Sequence, residues 1–141
     1  MSLEQSKSFI SNFLDELYNK GNLDLADEVI APPLLRGAIK RAVETLREIF
    51  SDFRLAIEEL IAEEDKVTAR CIMRGTYKRN LFGMTIANRS IEVDYIGIYR
   101  LSDNQIKAFW FLRDELSLIR QLGFLGTILL LVKFGKRLTG H

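Results

Sequence analysis

The chain has few of the residues that most often do chemistry. Its only histidine is the last residue, His141, and its only cysteine is Cys71. One cysteine cannot close an internal disulfide, and no cluster of histidine, cysteine and acid has metal-ligand spacing. There is no serine–histidine pair for nucleophilic work and no glycine-rich loop of the kind that cradles phosphate. A dominant charge is also missing. The 20 basic and 19 acidic side chains leave a formal net charge of +1, so no global field draws nucleic acid or strongly acidic substrates. No charged and then apolar leader opens the chain, which makes the cytoplasm the expected compartment.

What is present fits one compact domain. A chain of 141 residues, 48% hydrophobic and 28% charged, can enclose a core and a pocket. Phe9, Ile10, Phe13, Leu14, Leu17 and Tyr18 recur at helical spacing and predict an amphipathic helix over about 4–19, stopped by Gly21. A shorter helix is predicted over Asp24 to Ile30, ended by Pro32-Pro33, with a loop after it. From Ala38 to Phe53, Ile39, Ala42, Val43, Leu46, Ile49 and Phe50 mark one face of a third helix.

Beyond Phe53 the period changes from helical to alternating. Leu55 and Ile57 begin a first strand, and Glu63-Glu64-Asp65 supplies a turn. Over 66–78, Val67, Ala69, Cys71, Met73 and Tyr77 share one face. Over 90–101, Ile91, Val93, Tyr95, Gly97, Tyr99 and Leu101 do the same. A loop with Leu81, Phe82, Gly83, Met84 and Ile86 lies between these two strands. Ser102-Asp103-Asn104 makes the next turn, and the last strand spans 105–113 with Ile106, Ala108, Trp110 and Leu112 in phase. Asp114 continues that phase and is therefore expected to point inward with Trp110. Helices followed by an antiparallel meander predict an α+β domain with helices covering one face of a curved sheet.

Several strings in this order resemble the SnoaL-like polyketide (ester) cyclase branch of the nuclear transport factor two-like superfamily. They are Phe13-Leu14-Asp15-Glu16-Leu17-Tyr18-Asn19-Lys20-Gly21-Asn22-Leu23-Asp24, Gly75-Thr76-Tyr77 with Leu81-Phe82-Gly83-Met84, and Trp110 to Asp114 with Leu116 to Gly123. The resemblance covers roughly 5–125, so residues 1–125 are expected to form the domain and 126–141 an extension. It implies a cone-shaped fold, N-terminal helices on a strongly curved antiparallel sheet, an apolar pocket between them, and a homodimer through the sheet. It also implies cofactor-free, metal-free cyclase or isomerase chemistry on a small hydrophobic molecule, with Asp114 as general acid/base. Departures from the family pattern are clear. Tyr77, Phe109 and Leu34-Leu35-Arg36 stand where active members often carry polar residues or histidine, Gly97 stands where an acid is common, and Cys71 replaces a larger aromatic.

Two readings of Asp114 follow. In one it is a pocket acid, its neutral form favoured by desolvation so that its pKa approaches the working pH. In the other it is the N-cap of a helix starting at Glu115. Tyr77, Tyr95 and Tyr99 share the inward phase and could donate to a carbonyl or enolate oxygen, with Tyr95 preferred because it neighbours Gly97. Trp110, Cys71, Met73 and Gly97 complete the expected pocket, whereas Asp94 and Arg113 fall on the opposite phase, as solvated or interface charges. The alternative to an enzyme is a small-ligand binding or dimeric interaction module of the same fold. In the extension, Phe124 to Val132 is apolar and precedes Lys133, Lys136 and Arg137. It is too short to span a bilayer, so packing against the domain is expected, with membrane contact as the lesser alternative.

Overall fold

The computed structural model describes residues 1–78 and 87–122. The expectations placed on Leu81 to Ile86 and on the extension from Phe124 onward lie outside the described residues. Helices α1 (Leu3–Leu14), α2 (Asp24–Val29) and α3 (Pro33–Ile49) precede strands β1 (Arg54–Glu63), β2 (Lys66–Thr76), β3 (Ser90–Ser102) and β4 (Gln105–Arg113), and α4 (Glu115–Leu122) follows. The strands form one antiparallel sheet in the order β1-β2-β3-β4. This is the α+β architecture that the alternation predicts.

The start of α1 is fixed by a capping box. Ser2 Oγ accepts from the Gln5 amide at 3.1 Å, and the Ser2 amide donates to Gln5 Oε1 at 2.9 Å. The helix continues toward Asn19 in a wider form. Asp15–Asn19 make a π-helical turn, in which the Lys20 amide donates to the Asp15 carbonyl at 3.1 Å. Two side chains hold this end in place. Arg47 of α3 donates to the carbonyls of Tyr18 and Asn19 at 3.0 and 2.8 Å. The Asn19 amide group pairs with the Leu55 backbone in both directions, at 3.0 and 2.7 Å. Tyr18 is thereby set between helix and sheet.

The segment Leu34-Leu35-Arg36 is the first turn of α3 rather than a loop. Pro33 occupies the first helical position, where its missing N–H is one of the unpaired donors in any case. Leu35 therefore faces inward from a helix. The same helix ends at Ile49 rather than Phe53; Phe50 leaves it in extended backbone and bridges to Tyr77.

The larger correction concerns β4. Arg100 pairs with Ala108 but Leu101 pairs with Ile106, so Lys107 is an extra residue, a β-bulge. One inserted residue reverses which side chains face the core. Ile106 is fully buried, yet beyond the bulge Phe109, Phe111 and Arg113 point inward, while Trp110 and Leu112 are 55% and 61% exposed. The inward phase expected for Ala108, Trp110, Leu112 and Asp114 is overturned by that single residue. The inner faces of β2 and β3 follow the expected alternation, with Val67, Ala69, Cys71, Met73, Ile91, Val93, Tyr95, Tyr99 and Leu101 all buried.

After β4 ends, α4 lies along the remainder of β3. The Asp114 amide donates to the Asp94 carbonyl at 3.0 Å. The Gln121 side chain accepts from the Glu92 amide at 2.7 Å and donates to its carbonyl at 2.8 Å. A side-chain amide thus takes the place of a missing neighbouring strand.

Candidate ligand cavity

A cavity of about 260 Å³ lies between α3 and the inner face of the sheet. Its roof is Leu35, Ala38, Ile39, Ala42 and Leu46, which recur on one face of α3; the two alanines, one turn apart, leave the room. Its floor is Leu55, Met73, Tyr95, Phe109, Phe111 and Arg113, and Tyr18 and Phe53 complete the wall. None of the described lining residues is Asp, Glu or His. The polar groups on this apolar wall are the phenols of Tyr18 and Tyr95 and the guanidinium of Arg113.

The aromatic rings of β3 and β4 form a continuous stack along the floor. Tyr99 lies against Phe109 (4.8 Å between centroids, 19° between planes), Phe109 against Phe111 (5.5 Å, 13°) and Phe111 against Tyr95 (5.7 Å, 25°). The stacked rings brace one another and give the cavity floor an apolar aromatic surface suited to an apolar molecule.

Of the residues expected at the site, Tyr95 and Met73 line the cavity. Cys71 is fully buried and sits opposite Tyr95 across β2 and β3. Burial pushes its thiol up to about 11. Gly97 does not enlarge the cavity, because the ring of Tyr99 folds back over it. A Cβ built there would meet the Tyr99 hydroxyl at 2.9 Å and its ring at 3.0 Å. Glycine is needed so that the phenol can lie flat on its own strand. Tyr99 and Tyr77 are buried behind the cavity wall; the Tyr77 hydroxyl has no hydrogen-bond partner among the described residues, whereas the Tyr99 hydroxyl neighbours that of Tyr95. Burial raises both phenols above their ordinary range, an effect that Arg113 partly offsets at Tyr77. Burial likewise lifts Tyr18 to about 12 and Tyr95 well above its usual value; the neighbouring phenols Tyr99 and Tyr18 raise Tyr95 further. At neutral pH these hydroxyls are donors, not bases.

Trp110 and Asp114 lie elsewhere. Trp110 is on the outer face of the sheet, opposite Ile98. Asp114 is exposed and its Oδ1 accepts from the Ser117 amide at 3.0 Å, while its carbonyl accepts from Leu118 at 3.2 Å; it caps α4. Sequence phase missed Arg113, Phe109 and Phe111, because the run Phe109 to Leu112 is apolar on both faces and hides its own period. It also treated Tyr18 as core alone. Counting back from Arg113 in steps of two would have found the aromatic floor.

N-terminal helices laid on a curled but unclosed antiparallel sheet, with an apolar cavity between them, define a cone-shaped α+β domain of the nuclear transport factor two-like kind. Within that class the chain belongs to the SnoaL-like polyketide cyclase family, whose sequence profile matches residues 9–122. Among solved structures it is similar to TsrD from Streptomyces laurentii, at 26% identity over 87% of this chain and 98% of that one, with a TM-score of 0.69. It shares its fold with IdmH from Streptomyces antibioticus (23% identity, 85% and 99% covered, TM-score 0.74). A SnoaL-like polyketide cyclase from Agrobacterium tumefaciens has the same fold (18%, 82% and 95%, TM-score 0.67). No curated protein matches the chain. Family membership supports a cyclase- or isomerase-type function. Among the described residues no helix is long and apolar enough to cross a membrane, and no group of three or more His, Cys, Asp and Glu converges.

Proposed function

We propose that the cavity receives a small hydrophobic carbonyl compound and that the protein promotes a cyclisation or isomerisation of it without a cofactor. The observation that carries this reading is Tyr95, a phenol that lines an otherwise apolar cavity beside a stack of parallel rings. A protonated phenol held in a water-poor site can donate to a carbonyl oxygen and stabilise the enolate that forms there. Tyr18 offers a second hydroxyl on the same wall. Asp114, the acid/base that the family resemblance suggests, would have to release the Ser117 amide to take part.

A second reading, binding without turnover, is favoured by one observation: no described lining residue accepts a proton at neutral pH. Both readings require the cavity. A thermal-shift and fluorescence-binding screen of neutral aromatic ketones and esters tests it, with Ala38→Trp as the filled-cavity control. Ligand binding that Ala38→Trp abolishes is the expected result; binding unaffected by that substitution would place the ligand elsewhere. Product formation by the wild type that Tyr95→Phe slows separates the enzyme from the binder.

The homodimer is also a proposal. Ile98 with Trp110 and Ile96 with Leu112 form two cross-strand pairs on the outer face of the sheet; Ile96 is 37% exposed and the β4 pair more than half. Clustered apolar side chains on an outer sheet face suit a contact between copies.

A further inference from the structure

We propose that Tyr99 is a positioning residue for Tyr95: its buried hydroxyl donates to the Tyr95 oxygen while Tyr95 donates to a ligand carbonyl. The donor in the cavity is then the end of a two-phenol chain. This rests on the reading of Tyr95 as the ligand donor and adds the residue that acts through it. Tyr95, Gly97 and Tyr99 hold successive inward positions on β3, each about 6.8 Å from the next along the strand. Gly97 has no side chain, and the Tyr99 phenol lies back across it, with its hydroxyl 2.9 Å from where a Cβ would stand. The hydroxyl is thereby carried one full step along the strand toward Tyr95, and the two hydroxyls are neighbours.

Packing holds the Tyr99 ring in that pose. Phe109 stacks on it at 4.8 Å between centroids, and Phe13 meets it at 6.1 Å with the planes 74° apart, so the hydroxyl cannot swing to another side. Beyond Tyr95 it has no other hydrogen-bond partner among the described residues. A phenol carries one proton and two lone pairs. When Tyr95 gives its proton to a carbonyl oxygen, its own oxygen becomes a stronger acceptor, and the Tyr99 hydroxyl behind it is placed to donate there. Each bond strengthens the other, and both protons stay on their phenols, because burial disfavours the phenolate of either. Tyr18 stands on the cavity wall and reaches a ligand directly, whereas Tyr99 is not part of that wall and acts only through Tyr95.

The test is a double-mutant cycle of Tyr95→Phe and Tyr99→Phe with 2-acetonaphthone as the probe, carrying ¹³C at its carbonyl. Each substitution removes one hydroxyl and keeps the ring. Affinity and the infrared carbonyl stretch of the bound ketone are read at pH 7 in all four proteins, because a merely structural hydroxyl leaves the stretch where it is. Tyr99→Phe is expected to weaken binding roughly two- to tenfold, as loss of one neutral hydrogen bond would, and to move the stretch part of the way back toward its frequency in an apolar solvent. In the Tyr95→Phe background the same substitution should change neither reading. An unchanged stretch and affinity in Tyr99→Phe, where Tyr95→Phe alters both, overturns this inference and leaves Tyr95 as the donor. An effect of Tyr99→Phe that persists in full without the Tyr95 hydroxyl overturns it equally, since Tyr99 would then act on something else. A Tyr95→Phe protein that reads like wild type overturns the donor reading and this inference with it, and failure of the wild type to bind the ketone overturns both together with the cavity.

Discussion

Replacing Asp114 with alanine removes one hydrogen bond, the 3.0 Å contact from the Ser117 amide that caps α4. Loss of such a cap costs about 1 kcal/mol, within a range of roughly 0.5–2. For a domain of this length that lowers Tm by about 3–6 °C. Asparagine keeps an acceptor oxygen in the same place and ranks with aspartate as a cap, so Asp114→Asn should melt within about 1–2 °C of wild type. Thermal melts of the three proteins at pH 7, paired with binding of a neutral aromatic ester, read stability and cavity separately. If the carboxylate is a cap, alanine lowers Tm, asparagine does not, and all three bind the ester alike. A different pattern refutes the reasoning: both variants melting like wild type while losing ester binding or ester conversion. A side chain that serves the cavity costs function when replaced, whatever it does for the helix.

Three further outcomes are expected. Gly97→Ala should destabilise by about 1–3 kcal/mol, because Tyr99 is packed between Phe13 and Phe109 and cannot yield to the new Cβ. Adding Tyr99→Leu should recover part of that loss in a double-mutant cycle, and strict additivity would refute the contact. Stability should fall with rising pH above about 9 by up to roughly 2–3 kcal/mol on account of Cys71. Burial raises its folded pKa from 9.0 to about 11, so between those values the unfolded chain has lost a proton that the folded one keeps. Denaturant melts from pH 8 to 11 measure this, and the pH-dependent part should shrink in Cys71→Ala. Trp110→Glu with Leu112→Glu should convert a dimer to a monomer in light scattering without lowering Tm by more than about 2 °C, since both side chains are exposed in the single chain. An unchanged mass would remove the outer face from the interface.

Much of the fold was legible because its signals are redundant. On β2 and β3 every second residue is apolar over ten or more positions, and each hairpin carries its own turn residues. Asp103 and Asn104 adopt positive φ in the turn before β4, as aspartate and asparagine readily do. Helix starts were less legible. Pro33 reads equally as a stop and as a first helical residue, and only the packing of Leu35 decides between them. The π-helical turn at Asp15–Asn19 has no sequence signature either. It is held by Arg47, which lies 28 and 29 residues away from its acceptors, and such a contact leaves no local period.

The candidate site turned on one residue. Alternation is a parity argument, and parity does not survive an insertion. Lys107 sits in a strand where Phe109-Trp110-Phe111-Leu112 offers two apolar faces, so hydrophobicity alone cannot say which pair of side chains goes inside. The bulge settles it, and the consequence passes down the strand to its charged end. With Phe109 and Phe111 inward, Arg113 enters the cavity and Asp114 leaves it. The helix then begins where the strand ends, and the excluded carboxylate accepts from the free Ser117 amide of α4. A register shift of one thus exchanges an acid for a base at the cavity wall.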